Sequence, residues 1–245
     1  MGFFHSIFLS VFDALYRLFY SLCPSALPRD FFHAILDKSE VFAMTVSDFK
    51  AQYQYHRPTL QDAKHNYAVL VPLVETEDGL CLLYEVRSAT IAQPGEVCFP
   101  GGRIEMGETA VEAALRETRE ELGISADDIT VLGELDFLYL RSDRLMYPVL
   151  GSVKADAVSG MHASDCEVAD TFLLPLKWLQ EHPPTVYRYP LRPIVGEDFP
   201  YDTVQVPANY QWVDGRMEVP IYAGLSHTLW GLSARITKHL IENMK

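Results

Sequence analysis

The segment GGRIEMGETAVEAALRETREELGI, residues 101–124, constrains the fold of this chain more than any other stretch. Several glycines lie in the loop before Thr109, and a run of good helix formers extends from there to Gly123. We therefore predict a helix that begins after Thr109 and ends at Gly123. One side of this helix is apolar except for Thr118, which is small enough to pack against a core.

A second side of the same helix carries Glu117, Glu120 and Glu121, whose i, i+3, i+4 spacing brings three carboxylates together. Like charges at this spacing repel by about a few tenths of a kcal/mol per pair. The residues alone leave two interpretations open. Either the glutamates form an ordinary solvated face, partly neutralised by Arg116 and Arg119, or they hold a divalent cation such as Mg²⁺ or Mn²⁺.

The formal net charge of -13 limits the partners of the chain. It argues against a phosphate-binding surface built from lysine and arginine. Neither a basic patch nor a helix-turn-helix pattern indicates nucleic-acid binding. A chain of this charge that handles a polyanion needs a metal cation to supply much of the positive charge.

The cysteines indicate the redox environment. Cys23, Cys81, Cys98 and Cys166 are widely spread and form no C-x-x-C pair. This spacing fits neither a zinc site nor a disulfide framework, so we expect free thiols in a reducing cytosol. The C-terminal sequence differs from the peroxisomal S-K-L signal, and the predicted location is the cytoplasm.

Residues 3–22 place apolar side chains at helical spacings, with polar residues on the other side. Two charged residues interrupt the run, which makes it a poor transmembrane span. We predict an amphipathic helical extension over residues 1–28 and one domain over residues 29–245. The extension either docks on its own fold or a partner, or lies on a membrane surface.

Strand-like runs begin at Tyr67. YAVLVPLV and LCLLYEV, separated by a turn at residues 77–79, predict a β-hairpin that leads toward the acidic helix. ITVLGELDFLYL, MYPVLGSV and VADTFLLPL are further strand candidates, and a short helix follows at residues 177–181. The C-terminal HTLWGLSARITKHLIENM carries a helical apolar stripe from Leu229 to Leu240. Strands interleaved with helices predict an α/β fold with a mixed sheet between helical layers.

The acidic segment resembles the signature of the Nudix hydrolases, G-x5-E-x7-R-E-U-x-E-E-x-G-U, in which U is a bulky aliphatic residue. The single departure is Thr118, which occupies the first U position on the core-facing side of the helix. The matching positions are Gly102, Glu108, Arg116, Glu117, Glu120, Glu121, Gly123 and Ile124.

This resemblance implies a Nudix-type α/β/α sandwich and metal-dependent hydrolysis of a nucleoside diphosphate linked to another group. It implies that Glu117, Glu120 and Glu121 hold Mg²⁺ or Mn²⁺. Arg116 would orient a carboxylate, and Glu108 would brace the corner between loop and helix. The cation would neutralise the diphosphate and position or polarise a water for attack at phosphorus.

The general base varies within this superfamily, so the signature does not assign it. Glu120 is one candidate, and Glu167, just before an apolar strand, is a more distant one. A simple surface carboxylate is the alternative for Glu167. The resemblance also implies a small nucleotide substrate, and a homodimer is an expectation because dimers are common in the superfamily.

Residues 82–102, LLYEVRSATIAQPGEVCFPGG, resemble an additional motif of the coenzyme A pyrophosphatase branch, and LWGLSARI resembles a C-terminal segment of that branch. The matching positions of the first motif are Arg87, Ser88, Gly95, Phe99, Pro100, Gly101 and Gly102. By this resemblance the expected substrate-binding residues are Arg87, Ser88, Gly101 and Gly102. For Arg87, a strand-end arginine paired with a neighbouring carboxylate is the alternative.

Two departures from this motif concern the substrate. The chain is one residue shorter between Arg87 and Gly95, and Ala92 stands near the place of a missing second arginine. Tyr84 and Glu85 replace the usual Leu-Thr. We predict hydrolysis of coenzyme A or acyl-CoA to 3′,5′-ADP and 4′-phosphopantetheine or its acyl form. The alternatives are ADP-ribose, NADH or an oxidised nucleotide as substrate, or a Nudix module that binds a ligand without turnover.

Overall fold

The structure is a computed structural model that describes residues 45–56, 60–61, 65–77, 79–140 and 143–244. The chain divides into two compact units, Met1–Thr59 and Leu60–Lys245. The helix predicted at residues 3–22 and the boundary predicted at residue 28 lie outside the described residues. No helix in the described part of the chain is long and apolar enough to cross a membrane.

The first unit contributes one described helix, α1 (Val46–Tyr53). Its start follows from a capping box: the Asp48 backbone N–H donates to the Thr45 hydroxyl, and the Thr45 N–H donates to the Asp48 carboxylate. The sequence interpretation did not predict this helix, although its T-x-x-D start is a typical helix-initiation pattern.

The second unit contains a mixed sheet built around a parallel pair of strands. Among the described residues it has eight strands: β1 (His65–Thr76), β2 (Gly79–Arg87), β3 (Val97–Cys98), β4 (Gly101–Arg103), β5 (Ile129–Glu134), β6 (Leu138–Leu140), β7 (Arg144–Val153) and β8 (Val168–Pro175). β1 runs parallel to β7, and every other pairing is antiparallel. The predicted hairpin is confirmed, since β1 pairs with β2 up to Thr76 and Gly79.

Helices cover both faces of this sheet. They are α2 (Ala110–Leu122), α3 (Ala155–Ser159), α4 (Leu176–Glu181) and α5 (Gly231–Asn243), with a 3₁₀ helix at Ala126–Asp128. Ala68 and Leu70 of β1 pack with α2, whereas Val69 and Val71 pack in a second cluster with α4 and α5. This alternation of side chains along one strand divides the core in two. The predicted α/β/α sandwich with a mixed sheet is confirmed.

A second sheet was not predicted. It joins β9 (Thr185–Leu191), β10 (Gly215–Tyr222) and β11 (Leu229–Trp230) in antiparallel order. Leu229 therefore belongs to a strand and not to the C-terminal helical stripe. Helix α5 begins only at Gly231, whose φ of 70° lies in the left-handed region that favours glycine.

Candidate active site

Helix α2 has the boundaries that the sequence predicts. Thr109 accepts a hydrogen bond from the Glu112 backbone N–H at 3.2 Å, and Glu112 accepts one from the Thr109 N–H at 2.8 Å. Gly123 closes the helix in the left-handed conformation, with φ at 71°. Thr118 is fully buried, and its hydroxyl donates to the Ala114 carbonyl at 2.7 Å, so it packs without an unsatisfied polar group.

Arg116 is the centre of an ion-pair network on this helix. Its guanidinium binds Glu108 through two hydrogen bonds, Nε to Oε1 at 2.7 Å and Nη2 to Oε2 at 3.1 Å. Nη1 reaches Glu117 at 2.8 Å and Glu120 at 3.1 Å, and Nη2 also donates to the Arg103 carbonyl at 3.0 Å. These bonds fix the loop before α2 to the helix, and they hold the Glu108 pKa below its usual range.

Glu121 points into the protein and not toward water. Its side chain accepts a hydrogen bond from the Gly101 backbone N–H at 2.7 Å, and the residue is 7% exposed. A Cβ at Gly101 would lie 2.3 Å from the Ala68 carbonyl oxygen, so only glycine permits this approach of β4 to β1. A Cβ at Gly102 would lie 2.3 Å from Glu117 Oε1. The two glycines therefore bring the β4 backbone against the acidic face of α2.

Glu85 was not among the predicted site residues. It lies on β2, is 2% exposed, and its Oε1 accepts a hydrogen bond from the Cys98 thiol at 3.1 Å. Oε2 is buried and has no hydrogen-bond partner in the described part of the chain. A glutamate within the otherwise apolar run LCLLYEV is the sequence signal by which it could have been found.

The buried carboxylates raise one another's pKa. Burial is the main cause of the raised pKa of Glu121, and the neighbouring charge of Glu85 is the next. Burial also raises the pKa of Glu85 and of Glu117, and the negative charge of Glu167 adds to the shift in all three. Glu167, the distant candidate base, therefore lies in the same electrostatic environment as the glutamates of α2.

The carboxylates of Glu85, Glu117, Glu120 and Glu121 are not arranged as a complete set of metal ligands. In the described part of the chain, no three acidic, histidine or cysteine side chains form a group that could hold a metal ion as they stand. Arg116 donates hydrogen bonds to one oxygen each of Glu117 and Glu120, and the Gly101 N–H donates to one oxygen of Glu121. The unpartnered Glu85 oxygen beside Glu121 nevertheless fits a cation, because buried carboxylates need a positive partner.

Two residues of the motif before the acidic segment lie in different environments: Arg87 lines a cleft, and Ser88 is buried. Arg87 donates from Nε to the Ala92 carbonyl at 2.8 Å and lines a cleft of about 470 Å³. Ser88 is 4% exposed, and its hydroxyl contacts Thr90 at 2.8 Å and donates to the Cys166 carbonyl at 2.6 Å. Ser88 thus joins two loops and is not among the residues that line this cleft.

The cleft meets the acidic segment at Gly101. Its other walls come from the motif before that segment, strands β1, β6 and β7 of the main sheet, the second sheet and the start of α5. They are formed by Val69, Arg87, Gln93, Glu96, Val97, Cys98, Phe99, Tyr139, Leu140, Met146, Tyr189, Met217, Glu218, Val219, Trp230, Gly231, Leu232, Ser233, Arg235 and Ile236. None of the glutamates of α2 lines it. Since Glu121 accepts a hydrogen bond from the Gly101 N–H, this glycine connects the cleft to the acidic cluster.

Arg235 is a second cation at this cleft that the sequence interpretation missed. It belongs to α5, burial lowers its pKa, and its Nη1 lies 3.5 Å from the Met217 sulfur. Its position at the cleft depends on how α5 returns to the main sheet, which the sequence LWGLSARI does not specify. Arg87 and Arg235 together give this acidic protein two cationic side chains at one cleft.

Comparison with known proteins agrees with the geometry. The family description "NUDIX domain" matches residues 64–192. Nudix hydrolase 3 of Caenorhabditis elegans is 34% identical over 143 residues, which span 57% of this chain and 60% of that protein. Peroxisomal coenzyme A diphosphatase NUDT7 of Mus musculus is 29% identical over 76% of this chain and 78% of its own length. Mitochondrial coenzyme A diphosphatase NUDT8 of Homo sapiens is 32% identical over 71% of this chain and 67% of its own.

The family match spans more than half of the chain and includes β1, β2 and α2, which carry the acidic site. The predicted resemblance to this family and to its coenzyme A branch is confirmed by these relatives. The chain belongs to the Nudix hydrolase family, whose members split diphosphate bonds.

Proposed function

We propose that this protein is a metal-dependent pyrophosphatase that hydrolyses coenzyme A or acyl-CoA to 3′,5′-ADP and 4′-phosphopantetheine or its acyl form. The observation that carries the proposal is the junction at Gly101, where a cleft with two arginines meets the buried glutamates of the Nudix segment. Two relatives are named coenzyme A diphosphatases, which supports the same substrate class.

Nudix hydrolases generally use divalent metal ions, and we propose that this chain uses Mg²⁺ or Mn²⁺. Glu117, Glu120 and Glu121 would hold it, because carboxylate oxygens are the ligands that both ions prefer. When bound, the ion supplies charge neutralisation at the diphosphate and lowers the pKa of a coordinated water.

Side chains of the chain itself would position the metal-binding carboxylates and supply the general base. Arg116 holds Glu117 and Glu120 at 2.8 and 3.1 Å, which limits the orientations that these carboxylates can adopt. Glu108 binds Arg116 from the other side and positions it. Glu120 has the most exposed side chain of this network, at 49%, so it can reach a substrate or accept a proton from water. Glu167 is the second candidate base.

The cleft can accommodate a substrate with two distinct ends. A neighbouring cleft of about 570 Å³ shares Arg235, Met217 and Glu218 with the first, and its lining also includes His239 and Lys238. We propose that the diphosphate lies at Gly101 and that the nucleotide and pantetheine arms extend along the walls. Arg87 and Arg235 would bind phosphate oxygens, since guanidinium groups pair well with phosphate.

We expect the protein to release 3′,5′-ADP from coenzyme A in the presence of Mg²⁺ or Mn²⁺ and to release none with excess chelator. Chromatographic detection of 3′,5′-ADP measures this directly. A substrate panel of coenzyme A, acyl-CoA, ADP-ribose, NADH and an oxidised nucleoside triphosphate tests the assignment. Higher kcat/KM for ADP-ribose, NADH or the oxidised nucleotide would overturn the coenzyme A assignment, and no turnover of any would support a binding module.

Changing Arg235 to alanine should weaken substrate binding more than chemistry. A hydrogen bond to a charged group contributes about 1.5–3 kcal/mol. We therefore expect kcat/KM to fall roughly 10- to 100-fold, with most of the change in KM. The matched control is Arg192→Ala, which removes an exposed arginine that pairs with Asp214 and lines neither cleft. Equal kinetic constants in the two variants would exclude Arg235 from phosphate binding.

The cytoplasmic location and the homodimer remain predictions. Two relatives are named for the peroxisome and the mitochondrion, and those names describe those proteins.

A further inference from the structure

We propose that Glu85, on β2 and outside the Nudix segment, is an additional metal ligand that shares one cation with Glu121. This inference rests on the proposed metal centre and not on the identity of the substrate.

The first argument is the state of the Glu85 carboxylate. The residue is 2% exposed, yet Oε2 has no hydrogen-bond partner among the residues that the structure describes, and Oε1 accepts a hydrogen bond from the Cys98 thiol at 3.1 Å. An unpaired buried carboxylate oxygen is destabilising, because it loses its hydration without a replacement. Buried polar atoms of this kind are rare and indicate a missing partner such as an ion.

The second argument is the charge that surrounds it. Glu121, Glu117 and Glu167 all interact electrostatically with Glu85, and each is negative when ionised. Arg87 is the cation that favours the charged form of Glu85, but its Nε already donates to the Ala92 carbonyl. The negative charge of these neighbouring glutamates makes a cation a favourable partner for the unpaired Glu85 oxygen.

The third argument is the direction that β2 gives the side chain. Side chains alternate along a strand, so Leu83 and Glu85 share one face while Tyr84 and Val86 share the other. Leu83 packs in the cluster that contains α2, and Tyr84 packs in the cluster on the opposite face. Glu85 therefore faces the helix that carries Glu121.

The chemistry of this pair favours a hard divalent ion. Glu85 Oε2 and the Glu121 carboxylate would each contribute an oxygen, and waters or substrate phosphates would complete the coordination of Mg²⁺ or Mn²⁺. The usual coenzyme A motif has a threonine at the position of Glu85, and a threonine would offer only a neutral hydroxyl.

Manganese binding by the full-length, metal-free protein tests the proposal without any substrate. Free Mn²⁺, measured by electron paramagnetic resonance during titration, gives the number of bound ions and their dissociation constants. We expect Glu85→Gln and Glu85→Thr to weaken at least one Mn²⁺ site by about tenfold or more. The control Glu75→Gln, which removes an exposed carboxylate from the neighbouring strand β1, should bind Mn²⁺ as the wild type does.

A second readout separates a ligand from a merely structural residue. Because both variants lack the Glu85 negative charge, Mn²⁺ should raise the unfolding temperature of each variant, relative to its own metal-free form, by less than it raises that of the wild type. If Glu85→Gln does not fold, the same Mn²⁺ titration and unfolding measurements are made on Glu85→Thr.

Mn²⁺ affinities within twofold of the wild type in the Glu85 variants would overturn the proposal, as would a wild-type protein that binds no Mn²⁺. A wild-type protein that binds Mn²⁺ through Glu85 but does not cleave coenzyme A would refute only the proposed substrate.

Discussion

Changing both Glu120 and Glu121 to glutamine should reduce metal-dependent hydrolysis by about a thousandfold or more. Metal-ion catalysis contributes several kcal/mol to transition-state stabilisation, and about 1.4 kcal/mol corresponds to a factor of ten in rate. Glutamine retains the shape of both side chains, and at position 121 it still offers an oxygen to the Gly101 N–H. The loss would therefore arise from charge and metal ligation and not from a collapsed site.

The matched control is the double variant Glu75→Gln and Glu181→Gln, which removes two exposed carboxylates and changes the net charge equally. Rates of 3′,5′-ADP release at saturating Mn²⁺ compare the two. Undiminished activity in the Glu120 and Glu121 variant would refute the metal-site hypothesis. Equal loss in both double variants would point to overall charge instead.

Local patterns were sufficient to predict helix α2 and the β1–β2 hairpin. The capping interactions of Thr109 and the left-handed conformation of Gly123 depend on residues within a few positions of each other. The buried Thr118 follows from helical periodicity in the same way. Each of these features is encoded within one turn or one strand of the chain.

The burial of Glu121 could not be predicted in this way. On the helix alone, Glu121 belongs to the same acidic side as Glu117 and Glu120. Its environment depends on Gly101, which the close approach of β4 to β1 brings within 2.7 Å of its carboxylate. Glu85 and Arg235 were missed for the same reason, because long-range packing of β2 and α5 determines what their side chains face.

The second sheet shows the same limit. β9 and β10 are separated by 23 residues in the sequence, and β11 has only two residues. The long separation of β9 from β10 and the short length of β11 leave no clear strand pattern in the sequence. β11 forms because it pairs with Ile221 and Tyr222 of β10, a contact that local sequence does not indicate. Leu229 was assigned to a helix because a strand this short cannot be distinguished from the first turn of the helix that follows.

Tyr84 provides the largest expected effect on stability. It is fully buried, its ring stacks on Phe99 and Phe172 at centroid distances of 4.7 and 5.4 Å, and its hydroxyl lies 2.8 Å from that of Thr237 on α5. Truncation of a large buried aromatic side chain costs about 3–5 kcal/mol. We expect Tyr84→Ala to lower the free energy of unfolding by about this amount, measured by urea denaturation.

Comparison with Tyr84→Phe separates the contribution of the ring from that of the hydroxyl. The phenylalanine variant keeps both stacking contacts but leaves the buried Thr237 hydroxyl with one fewer partner, so it should lose only about 1 kcal/mol. Tyr187→Ala, which removes a tyrosine that is 60% exposed on β9, should change stability by less than about 0.5 kcal/mol. If Tyr84→Phe were as unstable as Tyr84→Ala, the hydrogen bond to α5, and not the aromatic stack, would hold this helix against the sheet beside Arg235.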